Sequence, residues 1–128
     1  MNTFETFEQI GMLHTLQGDI SFADIPWSEH PTFDGVALKH LVTAAQTGGA
    51  FSYHLVKIAP GKKIGVHTHK EQLETHEVIS GNGICLMDGK ELSYTPGVIS
   101  ILPQNVPHEV VAEDTGLYLF AKFMPALN

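Results

Sequence analysis

Residues 61–81 read GKKIGVHTHKEQLETHEVISG, and they place two imidazoles and a carboxylate close together between two glycines. His67, His69 and Glu74 fall within eight residues of one another. Side chains two residues apart in a strand point to the same face, so the two histidines are predicted to enter one pocket together. Neutral imidazole and carboxylate ligands suit divalent transition metals. The stretch therefore predicts a metal site, and His108 is the best candidate for a third imidazole.

The composition is typical of one folded domain. The chain has 128 residues, of which 43% are hydrophobic and 16% charged. Its formal charge of −7 and the lack of a basic stripe make nucleic acid and anionic membranes poor partners. No apolar run approaches the roughly 20 residues that span a bilayer, and the acidic start does not resemble a signal peptide. We therefore expect a cytoplasmic protein. The single Cys85 excludes an internal disulfide and is predicted to be a buried strand residue.

Short apolar or alternating runs recur along the chain and predict an all-β, antiparallel sandwich or small barrel. The predicted strands are 36–42, 51–59, 64–69, 74–80, 83–87, 91–94, 98–102, 108–112 and 117–124. Asp88-Gly89 is predicted to form a two-residue hairpin turn because both residues tolerate a positive φ. Residues 81–83 and 114–116 are also predicted to be turns between strands.

The first part of the chain, residues 1–34, is predicted to be an arm that packs on the barrel or on a partner subunit. The barrel domain is then 35–128. Apolar residues with helical spacing predict a short amphipathic helix over about residues 3–10. Farther along, three large apolar side chains need apolar cover: Phe22, Ile25 and Trp27.

The histidine-rich stretch and a second one downstream resemble the two motifs of the cupin superfamily, in its small single-domain, RmlC-like form. The first motif, Gly-x5-His-x-His-x3–4-Glu-x6-Gly, is matched by Gly61, His67, His69, Glu74 and Gly81. The second, Gly-x5-Pro-x-Gly-x2-His-x3-Asn, is matched in part by Gly97, Pro103, Asn105, His108 and Ala112. Asn105 can adopt the left-handed conformation of the glycine that it replaces. Ala112 replaces a polar residue that is not a metal ligand.

The resemblance implies a jelly-roll β-barrel over about residues 35–124 with one divalent ion bound by His67, His69, Glu74 and His108. The ion could be iron, manganese, nickel, zinc, cobalt or copper, since the ligand types alone do not choose among them. Four ligands around a six-coordinate ion leave two positions for water, substrate or dioxygen. The alternatives are an ion that only stabilises the barrel, or an empty pocket.

Two further histidines are candidate catalytic residues. Alternation from Glu74 places His76 on the inner face, where it either exchanges a proton with a substrate or is a wall residue hydrogen-bonded within the barrel. His54 points inward if Lys57 faces water, and His40 has the same parity in its own strand. The remaining pocket walls are predicted to be apolar: Val78, Leu102, Val110 and either Phe120 or Phe123.

These residues support three classes of function. The first is a metalloenzyme acting on a small organic molecule, with dioxygenase-type oxidation as the leading reaction. The alternative is a non-catalytic cupin that binds or senses a small molecule. The third is a metal-stabilised structural barrel. A homodimer is expected in each case because three apolar residues on the outer face need cover: Phe51, Tyr53 and Leu55.

Overall fold

The computed structural model describes residues 1–128 and confirms the predicted all-β jelly-roll fold. Two short helices and a 3-10 turn accompany the strands: α1 Thr3–Ile10, a 3-10 turn Phe22–Asp24 and α2 Ala44–Thr47. The strands are β1 Met12–Thr15, β2 Gly18–Ser21, β3 Ser28–Glu29, β4 Val36–Val42, β5 Ser52–Ile58, β6 Lys63–His67, β7 Leu73–Met87, β8 Lys90–Tyr94, β9 Ile99–Leu102 and β10 His108–Met124. All strand pairings are antiparallel. No helix has the length and apolar content that crossing a membrane requires.

Two long strands, β7 and β10, run side by side through both layers of the barrel. In one layer, the second half of β10 lies between β5 and the first half of β7, which also pairs with β9. In the other layer, the first half of β10 lies between β6 and the second half of β7, which also pairs with β8. The two strands thereby connect the layers, and the interior between the layers holds the main core.

The predicted turns at 81–83 and 114–116 are wrong, because both segments lie inside the long strands. The register of β7 against β10 shifts between Ala112 and Leu117, so the strands bend together through a bulge. Gly81 and Gly116 have positive φ angles of 79° and 74°, and a Cβ on Gly81 would lie 2.1 Å from the carbonyl oxygen of Gly116. Such a close backbone approach requires glycine, and the bend therefore has the composition of a turn.

Other local predictions are confirmed. Asp88 and Gly89 form the hairpin turn between β7 and β8 with φ angles of 51° and 73°. The predicted N-terminal helix is α1, and the side chain of Asn2 caps it by accepting a hydrogen bond from the Glu5 backbone N–H at 2.8 Å. Cys85 is buried in β7.

A second hydrophobic core lies outside the barrel wall, under residues of the arm. Phe4 and Phe22 of the arm are buried against outward-facing barrel residues such as Leu55 and Phe120. Lys39 is also buried here, at 3% exposure, and its ammonium group donates to the Phe22 carbonyl at 2.5 Å. The arm thus covers much of the apolar outer face within one chain.

Candidate metal centre

The four predicted metal ligands come together at one end of the barrel. His67 is the last residue of β6 and His108 the first residue of β10, and the two are direct register partners. Glu74 is the second residue of β7, and His69 lies in the loop between β6 and β7. One ligand atom from each of the four residues lies within 4.8 Å of the others. This cluster could hold a metal ion.

Backbone carbonyl groups orient two of the imidazoles toward the centre of the cluster. The Nδ1 of His67 lies 2.8 Å from the Gly65 carbonyl oxygen, and the Nδ1 of His108 lies 3.2 Å from that of Val106. A carbonyl only accepts, so each Nδ1 carries the proton and each Nε2 keeps its lone pair. This tautomer is the one that a metal ligand needs. Burial lowers the pKa of both His67 and His69, which favours the neutral rings.

Two atoms of the cluster are buried without a hydrogen-bond partner: the Oε1 of Glu74 and the Nε2 of His108. They lie 3.2 Å apart, but their geometry is not that of a hydrogen bond. Burial alone would raise the pKa of Glu74, but the neighbouring His76, which bonds the Oε2 of this carboxylate, opposes the effect of burial and holds the pKa well below its usual range. A buried carboxylate oxygen and a buried ring nitrogen that face each other unpaired are energetically unfavourable unless a cation lies between them. The donor set therefore fits a divalent metal.

Access to the cluster is one-sided. Glu74 and His108 are buried, whereas His67 and His69 are half-buried. The ring of Phe123, which is buried on β10, lies 5.0 Å from that of His69. A small molecule would therefore approach from the side of His67 and His69, with an aromatic wall beside it.

His76 lies on the inner face of β7, as the alternation predicts, and both of its ring nitrogens are occupied. Its Nε2 is 2.8 Å from the Oε2 of Glu74, and its Nδ1 is 2.8 Å from the hydroxyl of Tyr94. The side chain is 3% exposed. In this arrangement His76 has no free nitrogen for a substrate, so its role as a catalytic residue stays a prediction.

His54 is also on the inner face, and each of its ring nitrogens has a hydrogen-bond partner. Its Nδ1 lies 2.7 Å from the Nδ1 of His40, and its Nε2 lies 2.8 Å from the Oγ of Ser52. Burial is the main reason that the pKa of His54 falls to about 4, and His40 beside it lowers it further. The Phe123 ring separates this pair from His69, with centroids 5.5 Å from His54 and 5.0 Å from His69. A catalytic role for His54 also stays a prediction.

The predicted wall residues divide between the two cores. Val78, Leu102, Val110 and Phe123 belong to the barrel core, whereas Phe120 belongs to the core under the arm. Of the two phenylalanines left open by the sequence, Phe123 is therefore the interior one.

Asn105 connects the two motifs. Its φ of 64° confirms the predicted left-handed conformation. In this conformation its backbone N–H donates to the carbonyl oxygen of His69 at 3.0 Å. The loop before His108 thereby holds the loop that carries His69.

Sequence reasoning missed two residues next to the cluster, Tyr94 and Ser100. Tyr94 is fully buried and its hydroxyl bonds both His76 and the Oγ of Ser100. The available signal was the alternation of β8, which turns Tyr94 inward, together with the need of a buried tyrosine hydroxyl for a partner.

Comparisons with known proteins agree with this geometry. A family model described as the cupin domain matches residues 54–120. The L-ectoine synthase of Bordetella parapertussis is 32% identical over 89 residues, which cover 68% of this chain and 67% of that protein. An RmlC-like cupin from Shewanella frigidimarina superposes with a TM-score of 0.74 at 20% identity, covering 91% of this chain and 96% of that one. The polyketide cyclase RemF from Streptomyces resistomycificus gives a TM-score of 0.70 at 16% identity, covering 83% and 77%. The chain belongs to the cupin family.

Proposed function

We propose that this protein is a metal-dependent cupin enzyme that acts on a small organic molecule, with His67, His69, Glu74 and His108 as the ligands of one divalent transition metal. The observation that carries the proposal is the pair of buried, unpaired atoms, Glu74 Oε1 and His108 Nε2, which face each other inside the cluster. A bound cation would satisfy both atoms.

A bound divalent ion would supply Lewis-acid polarisation of a substrate oxygen and, with a redox-active metal, electron transfer. The chain supplies the orientation. The carbonyl groups of Gly65 and Val106 hold two imidazoles in the ligand tautomer. Three neutral imidazoles and one carboxylate would leave a divalent centre with one net positive charge, which suits an anionic or enolate substrate. Phe123 excludes water from one side of the site.

Two reaction classes follow for the enzyme. Dioxygenase-type oxidation is the leading prediction from the sequence, because a six-coordinate ion with four protein ligands has room for a substrate and dioxygen together. The similarity to L-ectoine synthase and to a polyketide cyclase supports a second candidate, a synthase or cyclase reaction that consumes no oxygen.

A non-catalytic binding or sensing cupin is the alternative function, and one observation favours it. Both ring nitrogens of His76 and of His54 are engaged within the chain, so neither is free to exchange a proton with a ligand. If this protein is an enzyme, its proton transfer would then depend on the metal centre itself or on the substrate.

Elemental analysis of tag-free protein tests the metal centre first. We expect about one transition-metal ion per chain in the wild type and none in a His67→Ala/His108→Ala double variant. A His14→Ala/His30→Ala double variant is the matched control, since it removes two histidines that lie outside the cluster. No metal in the wild type, even after anaerobic reconstitution with each candidate ion, would contradict the proposal.

Turnover with and without oxygen then separates the reaction classes. Oxygen uptake that depends on a small organic acid and on the iron-loaded protein would support the dioxygenase. Anaerobic conversion of the substrate would support the synthase or cyclase class. A tightly held, unconverted ligand that co-purifies with the protein would instead support the binding module.

The homodimer and the cytoplasmic location remain predictions. The arm already covers Leu55 and part of the outer face, but Ile99 and Ile101 on β9 are 67% and 61% exposed. They offer an apolar strip for a second copy. Light scattering that gives a monomer at all concentrations would contradict the dimer.

A further inference from the structure

The carboxylate of Glu74 has two oxygen atoms in different situations. Its Oε1 faces the Nε2 of His69 at 3.5 Å and that of His108 at 3.2 Å, inside the candidate metal cluster. Its Oε2 is taken by the Nε2 of His76 at 2.8 Å, on the other side. The residue that holds Oε2 therefore determines which oxygen is presented to an ion and at what angle.

His76 is itself held by a chain of buried hydroxyl groups. The hydroxyl of Tyr94 lies 2.8 Å from the Nδ1 of His76 and also bonds the Oγ of Ser100. The three residues come from β7, β8 and β9, which are neighbours in the sheets. Tyr94 is 0% exposed and His76 is 3% exposed, so solvent does not compete for these bonds.

The donors and acceptors of these hydrogen bonds can be assigned in one consistent way from Glu74 to Ser100. An ionised Glu74 carboxylate can only accept, so His76 donates from its Nε2. A neutral His76 ring then accepts at Nδ1 from the O–H of Tyr94, and Ser100 donates to the oxygen of Tyr94. Burial raises the pKa of Tyr94, which keeps the phenol protonated as this direction requires.

We propose that Tyr94 is a positioning residue of the candidate metal centre, which acts through His76 to hold Glu74 as a ligand with a single oxygen. The inference rests on the metal centre proposed above. The hydroxyl of Tyr94 locks the tautomer and the ring orientation of His76, and His76 in turn withholds Oε2 from the ion. Loss of the hydroxyl frees His76 to rotate and Glu74 to turn its second oxygen toward the metal. Hydrogen bonds of this kind to metal ligands commonly change metal affinity 10–100-fold.

A purely structural role for Tyr94 predicts something different. Tyr94 belongs to the barrel core, where its ring packs among apolar residues. If the ring alone mattered, Tyr94→Phe would keep the packing and leave the metal centre unchanged. The hydroxyl group is therefore the part of the residue to test.

The test is titration of the metal-free full-length protein with cobalt(II), read by its ligand-field absorption spectrum, in the wild type and in Tyr94→Phe. We expect cobalt to bind about tenfold or more weakly to Tyr94→Phe and to give a shifted spectrum, because the carboxylate ligand has changed its geometry. Tyr118→Phe is the matched control, since Tyr118 lies half-buried on the outer face against Phe4. It should bind cobalt as the wild type does.

A double-mutant cycle separates positioning from packing. In a His76→Phe background, the further change Tyr94→Phe should leave cobalt affinity and spectrum unchanged, because the connection to Glu74 is already absent. Ser100→Ala, at the end of the chain of hydroxyls, should produce a smaller shift in the same direction. Thermal unfolding of each metal-free variant shows whether it is folded.

Three outcomes would overturn the inference. Wild-type affinity and spectrum in Tyr94→Phe would remove Tyr94 from the centre while leaving the proposed metal site intact. An equal loss from Tyr94→Phe with and without His76 would show that it acts through packing. If the wild type itself bound no cobalt, both the proposed function and this inference would fail together.

Discussion

Two histidine clusters lie on the inner face of this barrel, on either side of Phe123, and they differ in how their polar atoms are satisfied. In the cluster of His40, His54 and Ser52, both ring nitrogens of the buried His54 have partners within the chain. In the cluster around Glu74, the Nε2 of His108 and the Oε1 of Glu74 have none. Both clusters are rich in imidazole, so residue type alone does not separate them.

The difference supports the proposed metal site, because unpaired polar atoms distinguish the Glu74 cluster from a cluster that is only rich in histidine. Buried polar groups are almost always hydrogen-bonded, because an unpaired one destabilises the fold by about 1–3 kcal/mol. The cluster of His40, His54 and Ser52 meets this requirement internally and needs nothing more. The Glu74 cluster would meet it with a bound cation.

A bound metal should distinguish the two clusters most clearly through the thermal stability of variants in each of them. An ion that binds only the folded chain stabilises it by about 4 kcal/mol at a thousandfold excess over its Kd. For a domain of this size we expect the melting temperature to rise by more than about 10 °C. We expect this gain in the wild type and its loss in His108→Ala, measured by thermal unfolding with and without zinc.

His54→Gln is the matched control, because His54 and His108 are both buried histidines on the inner face. It should lower stability in the absence of metal but keep the gain on adding zinc. If His54→Gln lost the gain and His108→Ala kept it, the assignment of the two clusters would be reversed.

Part of the metal cluster could be predicted from strand geometry and part only from the resemblance to the cupin motifs. The alternation of β7 placed His76 on the face of Glu74, because the parity of residues along one strand can be read directly from a sequence. The full set of four ligands came from the resemblance, since the sequence does not show that β6 pairs with β10 and brings His67 and His108 into register. The predicted strand 64–69 ends at His67, and His69 lies in the loop beyond it.

Other features depend on which strands become neighbours, and the sequence does not display that. Residues 81–83 have the composition of a turn, but pairing with β10 turns them into a bend within a strand. Tyr94 could not be assigned to Glu74 without knowing that β8 and β9 both pair with β7. Lys39 lies on the outer face, where a lysine is expected in water, but the arm buries it. Each of these misses is a tertiary contact that overrides a local pattern.

The dependence of stability on pH should also distinguish the two clusters, through the titration of His54. The pKa of His54 is lowered to about 4 in the folded chain, against an ordinary value of 6.5. As the pH falls below about 6.5, the unfolded chain takes up a proton that folded His54 does not, so the free energy of unfolding falls with it. The loss continues to about pH 4 and amounts to on the order of 3 kcal/mol.

Urea unfolding at a series of pH values checks this prediction. The metal-free wild type should lose stability more steeply between pH 6.5 and pH 4 than His54→Gln, which has no imidazole to titrate at this position. The histidines that do not contact His54 contribute equally to both proteins, so the difference between the two curves reports on the His40–His54 pair. Parallel curves would show that His54 titrates normally in the folded state.

The last prediction concerns Ser52, the third member of the cluster of His40, His54 and Ser52. Its Oγ lies 2.8 Å from the Nε2 of His54 and accepts a hydrogen bond from the backbone N–H of Leu127 at 2.8 Å. Ser52→Ala leaves the Nε2 of the fully buried His54 unpaired and removes the acceptor of the Leu127 N–H, so we expect the free energy of unfolding to fall by about 1–3 kcal/mol. Ser93→Ala, at an exposed serine of β8, should change it far less.

The decisive readout for Ser52→Ala is metal affinity as well as stability. If the two clusters are independent, the Kd for zinc should equal that of the wild type although the fold is weaker. The ring centroid of Phe123 lies 5.5 Å from that of His54 and 5.0 Å from that of His69. A higher Kd in Ser52→Ala would mean that the position of His54 affects His69 through this ring. In that case the cluster of His40, His54 and Ser52 would support the metal centre indirectly. Its hydrogen bonds would hold the ring of Phe123 in place beside His69.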